Sequence, residues 1–264
     1  MWIIDVRHDS AIPLEFTGIT PDRLETLSSA EVAHLPILFG KNRVELGEFA
    51  KISRHTAEAI TVFRGDTGRV KHVGAGMTRG TLAIEGDVGR HAGAGMTGGC
   101  LRIAGDAGDW LGAEMRDGEI AVAGKAGHNV GSAYRGSRHG MRGGTIEIEG
   151  GAGDELGLLM RRGSIAVGGT IGDFAGAAMI AGTVIGRSGF GPRTGAGMKR
   201  GTLISGAPID SIAPGFRYSC EYAPAYLDLI PRRGWNWPAS KSVQCYRGDA
   251  LTGGRGELLV MAPA

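Results

Sequence analysis

The chain has 264 residues, of which 48 are glycine, about 18% against an average usage of roughly 7%. Only 10 prolines and no glycine at every third position exclude collagen, and an apolar fraction of 42% excludes a disordered chain. A formal net charge of +2 is too mild for a general nucleic-acid binder, and no run of about 18 apolar residues is present to span a membrane.

The opening residues, MWIIDVRHDS, lack a basic segment followed by an apolar run, so no secretory leader is expected. Residues 1–59 are non-repetitive and read as an N-terminal cap with a short helix. Thr20-Pro21 puts proline at a first helical position. Ser28-x-x-Glu31 has the spacing of a capping box, ahead of an apolar run that ends at Pro36.

Residues 60–206 are dominated by an internal repeat. Met77, Met96, Met115, Met141, Met160, Met179 and Met198 follow one another at intervals of 19, 19, 26, 19, 19 and 19 residues. Most have glycine three positions before, from Gly74 to Gly195, and each has glycine three positions after, from Gly80 to Gly201. Gly131 keeps the phase across the long interval. That assigns Tyr134 to the methionine slot and reads Arg135 to Met141 as a seven-residue loop.

Each repeat ends in a short alternating pair, Leu82/Ile84, Leu101/Ile103, Ile120/Val122, Ile146/Ile148 and Ile165/Val167, which predicts a strand with one face buried. A βαβ unit needs about 30 residues, too many for this period. The expected fold class is therefore all-β: a right-handed parallel β-helix, or solenoid, of about seven 19-residue rungs. At about 4.8 Å per rung the stack would be roughly 34 Å long. Glycine would serve the corners, where positive φ and close backbone approach recur in every rung. The methionine column, with neighbouring alanines, would fill a narrow interior rather than hold a soft metal.

Residues 207–264 read as a C-terminal cap or partner-binding segment. They carry Phe216, Tyr218, Tyr222, Tyr226, Trp235 and Trp237 with Arg217, Arg232 and Arg233, unlike the repeat.

Candidate chemistry is sparse. Cys100, Cys220 and Cys245 are odd in number and far apart in the chain, with no metal or disulfide spacing. Gly93-Ala-Gly95-Met-Thr-Gly98 matches a dinucleotide fingerprint but lacks the βαβ frame. His72 and His91, one period apart, are expected as neighbours on the surface and not as a metal site. Asp109, Asp154 and Asp173, in equivalent slots near Arg90 and His128, are expected to bond their own backbone at corners. No serine or cysteine nucleophile has a credible base, so no catalytic residue and no metal ligand is assigned.

One column stands out. Arg116, Arg142, Arg161, Arg162, Lys199 and Arg200 occupy the two positions after the repeat methionines and would stack along one edge, with Arg135 and Arg138 of the insertion nearby. Such an edge is either solvated and anti-aggregative, or it accommodates a bound polyanion or an acidic partner.

The GAGM-type repeats, Gly127-His-Asn-Val-Gly131-Ser-Ala-Tyr and Met141-Arg-Gly-Gly resemble the C subunit of formylmethanofuran dehydrogenases and the GXGXG domain of the glutamate synthase large chain. Ile19-Thr-Pro-Asp-Arg-Leu, Leu35-Pro-Ile-Leu-Phe-Gly and Tyr222-Ala-Pro-Ala-Tyr-Leu are similar to the C subunit as well, which extends the likeness over nearly the whole chain. The resemblance implies a non-catalytic, cytoplasmic β-helix subunit in a hetero-oligomer of one-carbon metabolism. In methylotrophic formaldehyde oxidation this would be the bacterial formyltransferase/hydrolase complex, which moves formyl from tetrahydromethanopterin to methylofuran and releases formate. The Arg/Ala/Gly-rich composition favours that bacterial complex. The alternatives are the C subunit of a tungsten or molybdenum formylmethanofuran dehydrogenase, and a stand-alone anion-binding module. The implied partners are the other subunits of the complex: an amidohydrolase-like one, the B subunit and a formyltransferase one, with no nucleic acid and no membrane. The implied ligand is the polyglutamyl tail of methylofuran or methanofuran, held by Arg116, Arg142, Arg161, Arg162, Lys199 and Arg200.

Overall fold

The computed structural model describes residues 1–55, 60–229 and 242–261. The chain opens with Trp2–Val6 (β1), Leu14–Glu15 (β2), the helices Pro21–Leu24 (α1) and Ser29–Ala33 (α2), and Pro36–Phe39 (β3). Asn42–Glu45 (β4), the helix Leu46–Phe49 (α3), Ala50–Arg54 (β5), Ile60–Gly65 (β6) and Val70–Lys71 (β7) follow. Seven strands then recur with the repeat: Thr81–Ile84 (β8), Thr97–Ile103 (β9), Asp117–Val122 (β10), Arg142–Ile148 (β11), Arg162–Val167 (β12), Thr183–Gly186 (β13) and Arg200–Ser205 (β14). Arg217–Tyr222 (β15), Val243–Gly248 (β16) and Arg255–Met261 (β17) close the described chain.

The fold is all-β, with a few short helices. Among the described residues thirteen strands form one sheet in the order β15-β16-β17-β14-β13-β12-β11-β10-β9-β8-β6-β1-β5. Every pairing from β1 through β17 in that order is parallel; antiparallel pairs occur only at the two ends, β5 on β1 and β15-β16-β17. A second sheet, β4-β3-β2-β7, belongs to the N-terminal region. Each repeat thus gives one strand, and also one residue to a column of parallel bridges, Val88–Ala107–Ala126–Ala152–Ile171–Phe190.

The alternating pairs do what their period predicts. Leu82, Leu101, Ile120, Ile146 and Ile165 stack in register, as do Ile84, Ile103, Val122, Ile148 and Val167, and all are buried. All seven repeat methionines are fully buried, Met141 among them. This corrects the expected insertion. The Met141 N–H bonds Gly131 O, the turn bond that Met115 makes to Gly112, so Met141 keeps the interior slot and residues 134–140 form the insert. A thioether needs no polar partner in that slot, whereas the Tyr134 hydroxyl does and finds one on His91.

Glycine explains only part of the corner chemistry. Gly93 has φ +63, and a Cβ there would meet Ile120 Cδ1 at 2.6 Å, so both conformation and packing require it. Seven non-glycine residues share a second left-handed column, one per repeat: His72, His91, Trp110, Asn129, Glu155, Phe174 and Arg193, at φ from 58 to 64. Each of the first six donates its N–H to a carbonyl of the next repeat, as His72 does to Arg90 O at 3.0 Å and Trp110 to His128 O at 2.8 Å. Inter-repeat bonding thereby offsets a conformation that costs an L-residue about 1–2 kcal/mol.

The ends are built differently. Thr20 precedes α1, with Pro21 at its first position, and Ser28 and Glu31 complete both bonds of the capping box of α2. At the other end Phe216 lies under Gly195, 4% exposed, and β17 extends the parallel stack beyond β14. A second apolar cluster forms on the outer face of the sheet, where Ala166, Ile185, Ile204 and Leu259 pack with Leu227, Val243, Cys245 and Met261. Arg232, Arg233, Trp235 and Trp237 lie outside the described residues.

Candidate functional site

The basic edge is assembled by the backbone next to the methionine column. Arg116 N–H donates to Met96 O at 2.7 Å, Arg142 to Met115 O at 2.7 Å, Arg161 to Met141 O at 2.8 Å and Lys199 to Met179 O at 2.7 Å. These four residues therefore occupy one position of the repeat, interrupted by Ile180, which bonds Met160 O in the same way. Arg162 is the register partner of Arg142, and Arg200 that of Arg255, a basic neighbour that the repeat spacing did not reveal. Arg116, Arg162, Lys199 and Arg200 are exposed, while Arg142 and Arg161 are half-buried.

Several basic side chains elsewhere are paired with carboxylates. Arg90 pairs with Asp109 at 3.1 Å, Arg79 with Glu25 at 2.8 Å, Arg247 with Glu257 at 2.9 Å, and Arg193 with Asp173. None of the ion pairs among the described residues uses any of the six basic residues. The Nε atoms of Arg142 and Arg161 are buried with no hydrogen-bond partner among the described residues. A buried guanidinium N–H without an acceptor is costly.

The aspartates correct a second expectation. Asp109 Oδ1 accepts the N–H of His128 at 3.0 Å, and Asp154 Oδ1 that of Asp173 at 2.8 Å. Asp87 and Asp106 do the same for Asp106 and Lys125, each at 2.7 Å. The acceptors thus serve the following repeat, not their own corner. Spacing alone shows both donors, but only the stack brings the next one within reach.

His72 and His91 are neighbours as expected, but they belong to a larger, half-buried stack. Their rings lie 4.6 Å apart at 7°, His91 and Trp110 are 6.4 Å apart, and Tyr134 sits on Trp110 at 5.0 Å. Burial, then the neighbouring His72, Lys71 and Arg90, push the His91 imidazole down to about 4, so the ring is neutral near pH 7. Its Nδ1 lies 2.9 Å from the Tyr134 hydroxyl, and burial pushes that phenol up to about 12. Trp110 and Tyr134 escaped the sequence reading because a shared column makes the first stack only through positive φ, and an insertion delivers the second.

Among the described residues no three His, Cys, Asp or Glu side chains converge as metal ligands. The fingerprint-like glycines run into strand β9 rather than a helix. No helix of the described chain is long and apolar enough to cross a membrane.

No family model matches. A 90-residue segment, 33% of this chain, is 39% identical to the C subunit of molybdenum-containing formylmethanofuran dehydrogenase 1 from Methanothermobacter thermautotrophicus and covers 22% of that protein. A 90-residue segment is 35% identical to the Fhc C subunit of the formyltransferase/hydrolase complex from Methylorubrum extorquens, 34% of each chain. The match thus spans only a fifth to a third of the length of these curated relatives. A chain of the crystal structure of the formyltransferase/hydrolase complex FhcABCD from Methylorubrum extorquens, solved with methylofuran, superposes with a TM-score of 0.87 at 31% identity, covering 99% of this chain and 100% of that one.

Proposed function

Because the chain belongs to the C-subunit family of formylmethanofuran dehydrogenases and formyltransferase/hydrolase complexes, we propose that it is the structural C subunit of a formyltransferase/hydrolase complex. In that complex other chains move formyl from tetrahydromethanopterin to methylofuran and release formate. The observation that carries this reading is the end-to-end superposition on a chain of FhcABCD. We read the repeat stack, with its sheet, its bridge column and its inter-repeat turn bonds, as a right-handed parallel β-helix of about seven rungs, with residues 1–59 and 207–264 as caps. Its partners are the amidohydrolase-like, B and formyltransferase chains, in the cytoplasm.

The basic edge is the part of the chain that meets the carrier. Arg116, Arg142, Arg161, Arg162, Lys199 and Arg200 hold the polyglutamyl tail of methylofuran, or an acidic surface of a neighbouring subunit, by charge-assisted hydrogen bonds. The uncompensated charge and the two orphan Nε atoms support this. The local identity of 39% to the molybdenum enzyme, against 35% to the Fhc C subunit, favours a second reading as the C subunit of a formylmethanofuran dehydrogenase.

Affinity purification of the tagged chain from its native host separates the readings. Amidohydrolase-like and formyltransferase partners are expected. A partner carrying a metal–pterin would establish the second reading, and a chain that arrives alone would overturn both. In the assembled complex, Arg161→Glu/Arg162→Glu/Arg200→Glu is expected to weaken carrier binding at least tenfold at low salt, or to reduce subunit yield by a similar factor. If both stay unchanged, the edge has no such role.

A further inference from the structure

Cys220 and Cys245 are 25 positions apart in the chain, yet they are direct partners across the antiparallel pair β15–β16. A register shift between Tyr218 and Cys220 produces this. Tyr218 faces Tyr246, the next pair is Cys220 and Cys245, and Ser219 is bulged out. Without the bulge Cys245 would face Ser219. Direct cross-strand partners have Cα atoms about 4.5–5.5 Å apart, inside the window of roughly 4.4–6.8 Å that a disulfide spans. The two thiols are close enough to influence each other's protonation. The sequence expectation of three unrelated cysteines is corrected by this pairing.

The two thiols are unequal. Cys220 is exposed on β15, the last strand of the sheet, where five of six residues are exposed. Cys245 is fully buried in the outer apolar cluster, and burial pushes its thiol up. Cys100, on β9, lies apart from both. An accessible thiol can take up a small-molecule disulfide, and an adjacent second thiol can then displace the small thiolate from the mixed disulfide.

We propose that Cys220 and Cys245 form a reversible dithiol/disulfide site that takes a small-molecule disulfide of the glutathione class as its oxidant and staples edge strand β15 to β16. The Cys220 thiol loses its proton, and its sulfur attacks one sulfur of the small disulfide, expelling one thiolate. Cys245, losing its proton in turn, attacks Cys220 Sγ and expels the second thiolate. Two protein thiols are oxidised to one S–S bond, the small disulfide is reduced to two thiols, and the two protons end on them. Excess small thiol reverses the exchange. The staple acts on an exposed sheet edge, the part of a sheet most prone to fray or to pair with another chain.

The test uses the full chain, reduced, desalted and then exposed to oxidised glutathione under native conditions, with free thiols counted by maleimide mass tagging. The count is expected to fall from three to one, with a Cys220–Cys245 cross-linked peptide in the non-reduced digest. Cys100→Ser should retain the cross-link, and Cys245→Ser should stop at a glutathione adduct on Cys220. Three free thiols after treatment, or a cross-link through Cys100, would overturn the proposal. Phenylarsine oxide, which bridges two adjacent thiols, provides a second readout on the reduced native chain. One equivalent is expected per chain, lost in Cys220→Ser and in Cys245→Ser; no binding to the wild-type chain also overturns it.

Discussion

The outer face of the main sheet is one register position carried through the repeats, and its two halves differ. In β8 to β11 it carries Ala83, Arg102, Ala121 and Glu147, none of them buried, lining a groove of about 350 Å³. In β12, β13, β14 and β17 the same position carries Ala166, Ile185, Ile204 and Leu259, all buried at 8% exposure or less beneath the C-terminal segment. The inward neighbours do not distinguish the halves, since Leu101 and Leu203 are equally buried. Interior packing therefore sets the repeat, while the outer face records what else lies against each stretch of it. Burying an isoleucine there contributes about 1.5–3 kcal/mol toward holding that segment.

The contrast can be broken most directly by placing a charge in the covered half. Ile204→Asp should cost about 4 kcal/mol or more, because an unpaired carboxylate would sit in the outer cluster, and urea unfolding should show a lower midpoint or a separate early transition. A change below about 1 kcal/mol would mean that the C-terminal segment does not depend on that cluster. The interior offers a control. Met96→Ala lies behind the less buried half and Met179→Ala behind the covered half, and each should lose about 2–5 kcal/mol from its cavity. A difference between the two above about 1 kcal/mol would break the claim that the interiors are equivalent. In the less buried half Ala83→Ser should stay within about 0.5 kcal/mol of wild type.

A pH titration sharpens the comparison further, because the imidazole stack belongs to the repeats of the less buried half. The folded His91 value of about 4 lies below its ordinary 6.5, so the unfolded chain binds the extra proton between these values. Stability from this group is full above about 6.5 and is lost as pH falls toward 4. Hydrogen exchange should therefore show the amides around His91 and Tyr134 losing protection in that window, ahead of those in β13 and β14. His91→Asn, which tolerates positive φ, should flatten the dependence. An unchanged profile would show that His91 does not contribute to it.

Much of the repeat was legible because it is periodic and local. The methionine spacing, the inward pairs Leu82/Ile84 to Ile165/Val167 and the capping box at Ser28 each depend on side chains within a few residues or one period. Periodicity failed at Tyr134, because spacing cannot show which of two residues, Tyr134 or Met141, is shielded from water. It failed for Asp109 and Asp154 because their acceptors reach the next repeat rather than their own turn. The basic edge was legible as a column, but the burial of Arg142 and Arg161 and the adjacency of Arg255 were not.

From residues alone came the all-β class, the 19-residue period, the buried methionine column and the likeness to the C-subunit family. The first three rest on short-range rules that a linear chain displays: alternation, spacing and turn chemistry. The likeness rests on short motifs read in the same way. The tertiary structure alone revealed the outer cluster, the extension of the His72–His91 pair by Trp110 and Tyr134, and the meeting of Cys220 with Cys245. Tyr134 and Cys245 meet their partners at separations that follow no period, and these contacts depend on a bulge, on positive φ in non-glycine residues and on a fold-back across the sheet. Such features appear only when the strands have found their partners.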